Sequence, residues 1–176
     1  MYGDGVRYII ERCRVFSVEQ ALKDMGYHPS HSREHQWIKG SYHLILEESV
    51  RGKNGRKRSV IIILHKEPYS PEGEDLETEI EMISIKTKAF QRFRRCIGKI
   101  RSYIRGGEKR IALSNVLKEV QDLLRSGILS ESKLQEILAE NERDIEEKFR
   151  NAPSYFDRKD RLETLKKRLG LETKSL

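Results

Sequence analysis

Residues 41–67 read SYHLILEESVRGKNGRKRSVIIILHKE, and the pairing within this stretch decides how the rest of the chain is arranged. Two apolar runs flank Asn54-Gly55. Asn-Gly is the favoured pair for a type I′ turn, in which both central residues need positive φ and the backbone twist matches that of paired strands. Centred there, the hairpin sets Lys53 opposite Arg56, Leu46 opposite Ile63 and Leu44 opposite His65. Leu44, Leu46, Ile61 and Ile63 then share one face, and Ile45, Val60, Ile62 and Leu64 the other. Residues 60–64 are apolar without a break. A half-exposed strand alternates, so this run is expected to be a central strand, covered on both sides or at least paired along both edges.

The tip of the hairpin holds Arg51, Lys53, Arg56, Lys57 and Arg58 with no acid among them. The plainer reading is a solvated loop that keeps the hairpin soluble; the functional reading is contact with phosphate. The chain's formal charge is +7, but where that charge sits matters more than its size. Residues 67–85 carry seven acids and no base, residues 86–110 carry ten bases against Glu108 alone, and residues 111–176 balance. The acidic segment directly precedes the basic one, so part of the surplus has a neutralising partner close by in sequence.

With 176 residues, the chain is long enough to bury a core, as one large domain or two small ones. Composition favours a division into residues 1–105, an α+β domain, and residues 106–176, a helical region. The longest apolar run is residues 60–64, far short of a membrane span. The opening MYGDGVRYII lacks a signal-peptide layout. Cys13 and Cys96 stand far apart and make no metal-type spacing, which suits a reducing, cytoplasmic setting and leaves a disulfide between them open.

Before the hairpin, Val6, Ile9, Ile10 and Cys13 fit one face of a short helix. Ser17 with Gln20 offers a capping box for a second helix whose buried stripe is Val18, Ala21, Leu22 and Met25, ended by Gly26. A first strand is expected near Gln36 and Trp37, with a bulge at Gly40. After the hairpin, residues 77–86 (ETEIEMISIK) fit both an alternating strand and the start of one long helix. The strand is preferred, because a covered central strand needs neighbours. Residues 89–104 are strongly amphipathic: Phe90, Phe93, Ile97, Ile100 and Ile104 cluster on one side, with Lys88, Arg92, Arg95 and Lys99 opposite. Beyond Gly106-Gly107 the pattern is helical, with Ser114 and Ser130 as caps, Gly127 as a break, and a last helix closed by Gly170. The expected fold is therefore α+β: a small antiparallel sheet of three strands in α-β-β-β-α order, packed by helices and followed by a helical C-terminal region.

That order over residues 17–105 resembles the double-stranded-RNA-binding fold and the HicA-type toxin domains built on the same topology. The resemblance is carried by LKDMGY (22–27), QWIKGSYHLIL (36–46) and IKTKAF (85–90), about half of the chain. In the toxins a catalytic histidine directly follows Gly-Ser. Here Tyr42 intervenes and His43 comes one place later, which turns its side chain to the other face of a strand. The RNA-binding family grips phosphates with lysines at the start of its second helix, and Lys86 with Lys88 stand nearest to that pattern.

Four of the five histidines, His28, His31, His35 and His43, fall within sixteen residues. Imidazoles can converge on zinc, but Pro29 interrupts the run and only Glu34 is at hand to complete a set, so no metal and no cofactor are expected. The hairpin also resembles the core of restriction-enzyme-like nucleases. Glu47 and Glu48 lie on its first strand, but the second supplies His65-Lys66 without the carboxylate two places before the lysine. A hydrolase using His43 or His65 is thus the third choice, and a non-enzymatic role is favoured. The helical pair around residues 125–130 resembles a helix-turn-helix, yet Glu131, Glu136, Glu140, Glu142, Asp144, Glu146 and Glu147 make its second helix acidic, repelling phosphates. The leading expectation is binding of RNA or DNA through the tip (Arg51, Lys53, Arg56, Lys57, Arg58) and the helix face (Lys88, Arg92, Arg95, Lys99), by counterion release rather than base readout. The alternative is a protein-interaction subunit, with the C-terminal helices as a homo-oligomer interface. No membrane partner is expected.

Overall fold

The computed structural model describes residues 5–55, 57–68, 73–108 and 111–171. The chain packs as two compact units, Met1–Gln91 and Arg92–Leu176, with the division inside a helix. Among the described residues no helix is long and apolar enough to cross a membrane.

The first unit is an α+β sandwich. Its elements in chain order are β1 (Gly5–Glu11), α1 (Val15–Asp24), β2 (His28–Pro29), β3 (Gln36–Lys39), β4 (Tyr42–Arg51) and β5 (Lys57–Lys66), then the start of α2 (Leu76–Arg105). The strands form one antiparallel sheet in the order β1-β5-β4-β3-β2. The expected first strand, bulged at Gly40, is two strands, β3 and β4, joined by a turn; the second is β5; the segment at 77–86 is helical; and β1 and β2 add one strand at each edge, so the sheet is five strands wide and not three. The expected helix at Val6 to Cys13 is β1. Val6, Tyr8 and Ile10 alternate inward opposite Leu64, Ile62 and Val60, and with so short an apolar run the pairing decides over the helical period.

The hairpin itself is paired one residue away from the expected register. Leu46 faces Ile62 and Leu44 faces Leu64, and Arg51 with Lys57 is the last pair. Asn54 and Gly55 do take positive φ, 62° and 64°, but in a connection longer than two residues, in which the Gly55 amide donates to the Gly52 carbonyl at 3.3 Å. A slip of one residue exchanges the faces of a strand. Tyr42, Leu44, Leu46, Val60, Ile62 and Leu64 are consequently all buried on one side, against Val18 and Leu22 of α1 and Ile80 and Ile83 of α2. Ile45, Ile61 and Ile63 lie on the other side, only partly buried. β5 is thus paired along both edges but not covered on both faces.

Residues 77–86 are helical, not the preferred strand. Asp75 Oδ1 accepts a 2.7 Å bond from the Thr78 amide, capping a thirty-residue α2. Its inward positions Ile80, Ile83 and Thr87 follow the helical spacing. The edge of β5 that this segment was expected to fill is occupied by β1. One cap and one bulge also differ from expectation: α1 begins at Val15, so Ser17 is buried in its first turn, and Gly40 (φ 55°) makes the tight β3–β4 turn rather than a bulge. Gly26 ends α1 as expected, with Tyr27 and Gly26 amides bonded to Leu22 and Lys23 carbonyls, a Schellman arrangement.

The second unit is helical: the end of α2, then α3 (Leu113–Ser126), α4 (Glu131–Lys148) and α5 (Tyr155–Arg168). Its core gathers Ile100, Ile104, Val116, Val120, Leu123, Leu134, Leu138, Ile145, Leu162 and Leu165, the stripes that the helical period marks out. Ser130 caps α4 by accepting from the Lys133 amide at 3.1 Å, and Gly127 closes α3 at φ 77°. Ser114 does not cap α3, which already starts at Leu113 after Ala112.

Candidate nucleic-acid interface

Pairing of β4 with β5 sets Arg51 and Lys57 side by side, on the face of the hairpin that continues the sheet side away from α1 and α2. Lys53 is exposed in the turn. Arg58 falls on the opposite face, where its Nη1 lies 3.4 Å from Glu48 Oε1. Arg56 lies outside the described residues. Among the described residues no ion pair reaches Arg51, Lys53 or Lys57. The exposed Arg58–Glu48 pair is worth only about 0–1 kcal/mol, so the tip keeps most of its positive potential.

On α2, Lys88, Arg92 and Arg95 are exposed and carry no ion pair among the described residues. Lys99 differs from the rest of its stripe. Its Nζ stands 3.3 Å from Glu119 Oε2 and 3.3 Å from Asn115 Oδ1 of α3, and both charged side chains are about four-fifths buried. Lys99 therefore ties α2 to α3, and its charge is already matched. Lys86 likewise bonds Asp24 Oδ2 at 2.7 Å, tying α2 to α1; these lysines sit in the body of the helix, not at its start as in the RNA-binding resemblance. Of the acidic segment, Glu77, Glu79 and Glu81 lie in the same helix, and Glu77 and Glu79 meet the positive end of its dipole. Glu81 and Lys88 stand about 10 Å apart along the axis, farther than the screening length of about 8 Å at physiological salt.

The histidines do not gather into a ligand set. His28 is in β2, His31 and His35 in the loop that follows, and His43 in β4 opposite His65. Among the described residues no group of three or more His, Cys, Asp or Glu side chains is placed to hold a metal ion. Tyr42 points into the core and His43 away from it, its Nε2 3.1 Å from Glu67 Oε1. Cys13 and Cys96 are free thiols. Burial raises each to about 11, so neither is an effective nucleophile at neutral pH.

One polar cluster escapes the sequence. Glu79, 2% exposed, accepts from Tyr27 Oη at 2.8 Å and pairs with Lys39 Nζ. The ammonium also lies 4.8 Å from the Tyr27 ring centroid and 5.3 Å from that of Tyr42, within cation–π range. Burial and then the Glu79 carboxylate push the Tyr27 phenol far above its ordinary pKa, so it remains the donor. Tyr42 Oη donates to the Glu74 carbonyl just before α2. The cluster fastens α2 to the sheet, and positions 27, 39, 42 and 79 share no spacing that would announce it. No family model, curated protein or solved structure matches this chain. Its function is therefore argued from its own chemistry.

Proposed function

We propose that the protein binds nucleic acid non-catalytically, contacting the phosphate backbone through the hairpin tip and the exposed stripe of α2. The observation that carries this reading is the set of exposed cations without ion-pair partners among the described residues: Arg51, Lys53 and Lys57 at the tip, Lys88, Arg92 and Arg95 on the helix. Surface cations in ion-paired proteins ordinarily have acids interleaved at helical or cross-strand spacing, and these do not. Arg56 and Arg58 belong to the same tip by sequence. Lys99 acts in this scheme as the anchor that holds the stripe to α3.

A salt titration tests it. Binding to generic RNA and DNA should weaken log-linearly with salt, with a slope of about −0.9 per duplex phosphate contacted. Arg92→Glu with Arg95→Glu should abolish binding while the fold is kept, since exposed charges contribute about 0–1 kcal/mol apiece. Wild-type protein with no measurable affinity at low salt would end the proposal.

A protein-interaction role is the second reading, favoured by the sheet face away from the helices. Ile9 there is 44% exposed, and Ile38, Ile45, Ile61 and Ile63 share its side of the sheet and remain partly open. A phosphate-binding surface has no use for such a patch. Sedimentation of the charge-reversed variant separates the two: loss of an oligomer, with no wild-type nucleic-acid binding, favours the second.

A further inference from the structure

Within the second unit, a pocket of about 250 Å³ is lined by Arg101, Ser102 and Arg105 of α2, Asp144 of α4, Phe149, and Arg158 of α5. The three arginines come from helices far apart in sequence and converge on one concavity. Arg158 is held in place on two sides. Its guanidinium stacks 3.8 Å from the Phe149 ring centroid, and its Nε donates to Ser154 Oγ at 3.0 Å. That leaves the two terminal amino groups of its fork without a partner among the described residues. Arg161 reinforces the positive field from behind: its Nε and Nη2 donate to the Ile104 and Arg105 carbonyls at 2.8 and 2.9 Å, closing the end of α2.

Such crowding is unfavourable by itself. Arg101 and Arg105 are one turn apart on α2, where like charges repel. Partial burial together with the neighbouring Arg161 and Arg105 lowers the Arg158 pKa below the ordinary arginine value. The one carboxylate in the lining, Asp144, lies 3.4 Å from Lys148 instead, and no ion pair among the described residues reaches Arg101, Arg105 or Arg158. A bound anion would relieve this repulsion, and arginine forks match phosphate oxygens in a two-pronged way.

We propose that this pocket binds a terminal phosphate, a phosphomonoester, presented either by a free nucleotide or by the end of a nucleic acid. A terminal phosphate carries close to two charges near neutral pH where a phosphate inside a chain carries one, so three converging arginines favour the terminal group. The proposal stands apart from the backbone contacts above, and the two fail separately.

The probes are inorganic phosphate, a nucleoside monophosphate, and one oligonucleotide prepared with a 5′-phosphate and with a 5′-hydroxyl, titrated by phosphorus NMR and calorimetry. Wild-type protein should bind phosphate saturably, and Arg101→Gln with Arg105→Gln, both exposed positions, should weaken it at least about ten-fold. Arg158→Lys keeps the charge and loses the fork, and should weaken it several-fold. Preference for the 5′-phosphorylated over the 5′-hydroxyl oligonucleotide would assign the nucleic-acid end as the source; binding of the nucleoside monophosphate with no such preference would assign the free nucleotide. Lys53→Ser with Lys57→Ser should lower affinity for both oligonucleotides alike and leave any 5′-phosphate preference intact. No phosphate binding by the wild type, or equal binding by wild type and the arginine variants, would overturn the pocket while leaving the backbone reading untouched. Phosphate binding without affinity for either oligonucleotide would do the reverse.

Discussion

The first unit joins residues that are distant in the chain, and the second is assembled from neighbours. Val6 of β1 pairs with Leu64 of β5, and Tyr27 reaches Glu79 across fifty-two residues. In the second unit the helices follow one another through short turns, each stopped or started by a local signal such as Gly127 or Ser130. The units also differ in where they put charge. The first buries Glu79 with Lys39 beneath two aromatic rings. The second pairs its largely buried Lys99 and Lys166 with Glu119 and Glu142, away from any aromatic cation–π contact among the described residues, and gathers arginines around an open pocket. The difference teaches that a capping residue carries its meaning within one helical turn, while a strand acquires its faces only from the partner it meets.

The sharpest way to break this comparison is to exchange the roles of adjacent residues in β5. Ile62 is 0% exposed and Ile63 is only partly buried on the opposite face. Ile62→Ala should cost about 4 kcal/mol, in the range for large-to-small core changes, and Ile63→Ala about 1 kcal/mol, for partial loss of apolar contact. Urea unfolding followed by fluorescence of Trp37, the chain's single tryptophan, lies in the right unit to report it. Equal costs would mean that both faces of β5 are covered, as its unbroken apolar run suggests.

That test also marks how far the sequence reaches. The hairpin, the helical stripes of the second unit, Gly26, Gly127 and Ser130 were legible, because each depends on a period or on a cap close by. The register of the hairpin was not. Asn54-Gly55 signals positive φ correctly, but the loop length around it is set by where Arg51 and Lys57 stop pairing. β1 and the start of α2 were exchanged in type for one reason: both segments fit either period, and only the free edge of β5 decides between them. Of the candidate interface, the exposed cations could be read directly. The engagement of Lys99 by Glu119 and the convergence of Arg101, Arg105 and Arg158 depend on helix packing.

A smaller effect sharpens the contrast in buried charge. Glu79→Gln keeps the shape and can still accept from Tyr27, but removes the charge that Lys39 faces. Lys39 is 30% exposed along its side chain and can turn its ammonium toward water, which limits the damage. A loss of about 2 kcal/mol is expected, the cost of weakening a buried hydrogen-bonded charge without emptying the site. A loss under about 0.5 kcal/mol would mean that the cluster contributes no more than a surface pair.

The smallest effect compares the helix caps of the two units. Ser130 caps α4 with a hydroxyl that does not titrate in the acid range, and Asp75 caps α2 with a carboxylate that does. Ser130→Ala should cost about 1 kcal/mol, by the same amount at pH 7 and pH 3. The bond from Thr78 holds the Asp75 carboxyl below its ordinary pKa, so the folded state favours the ionised form. Its contribution is therefore fully present above the unfolded value of about 3.9 and is lost as pH falls through the lower folded value. Asp75→Ala should destabilise at pH 7, and the gap from wild type should narrow steadily on acidification below pH 4. Amide exchange at Thr78 is the local readout: protection should fall in acid for the wild type and stay low at every pH in the variant. A gap that stays constant with pH would show that Asp75 caps α2 by shape alone, as Ser130 caps α4.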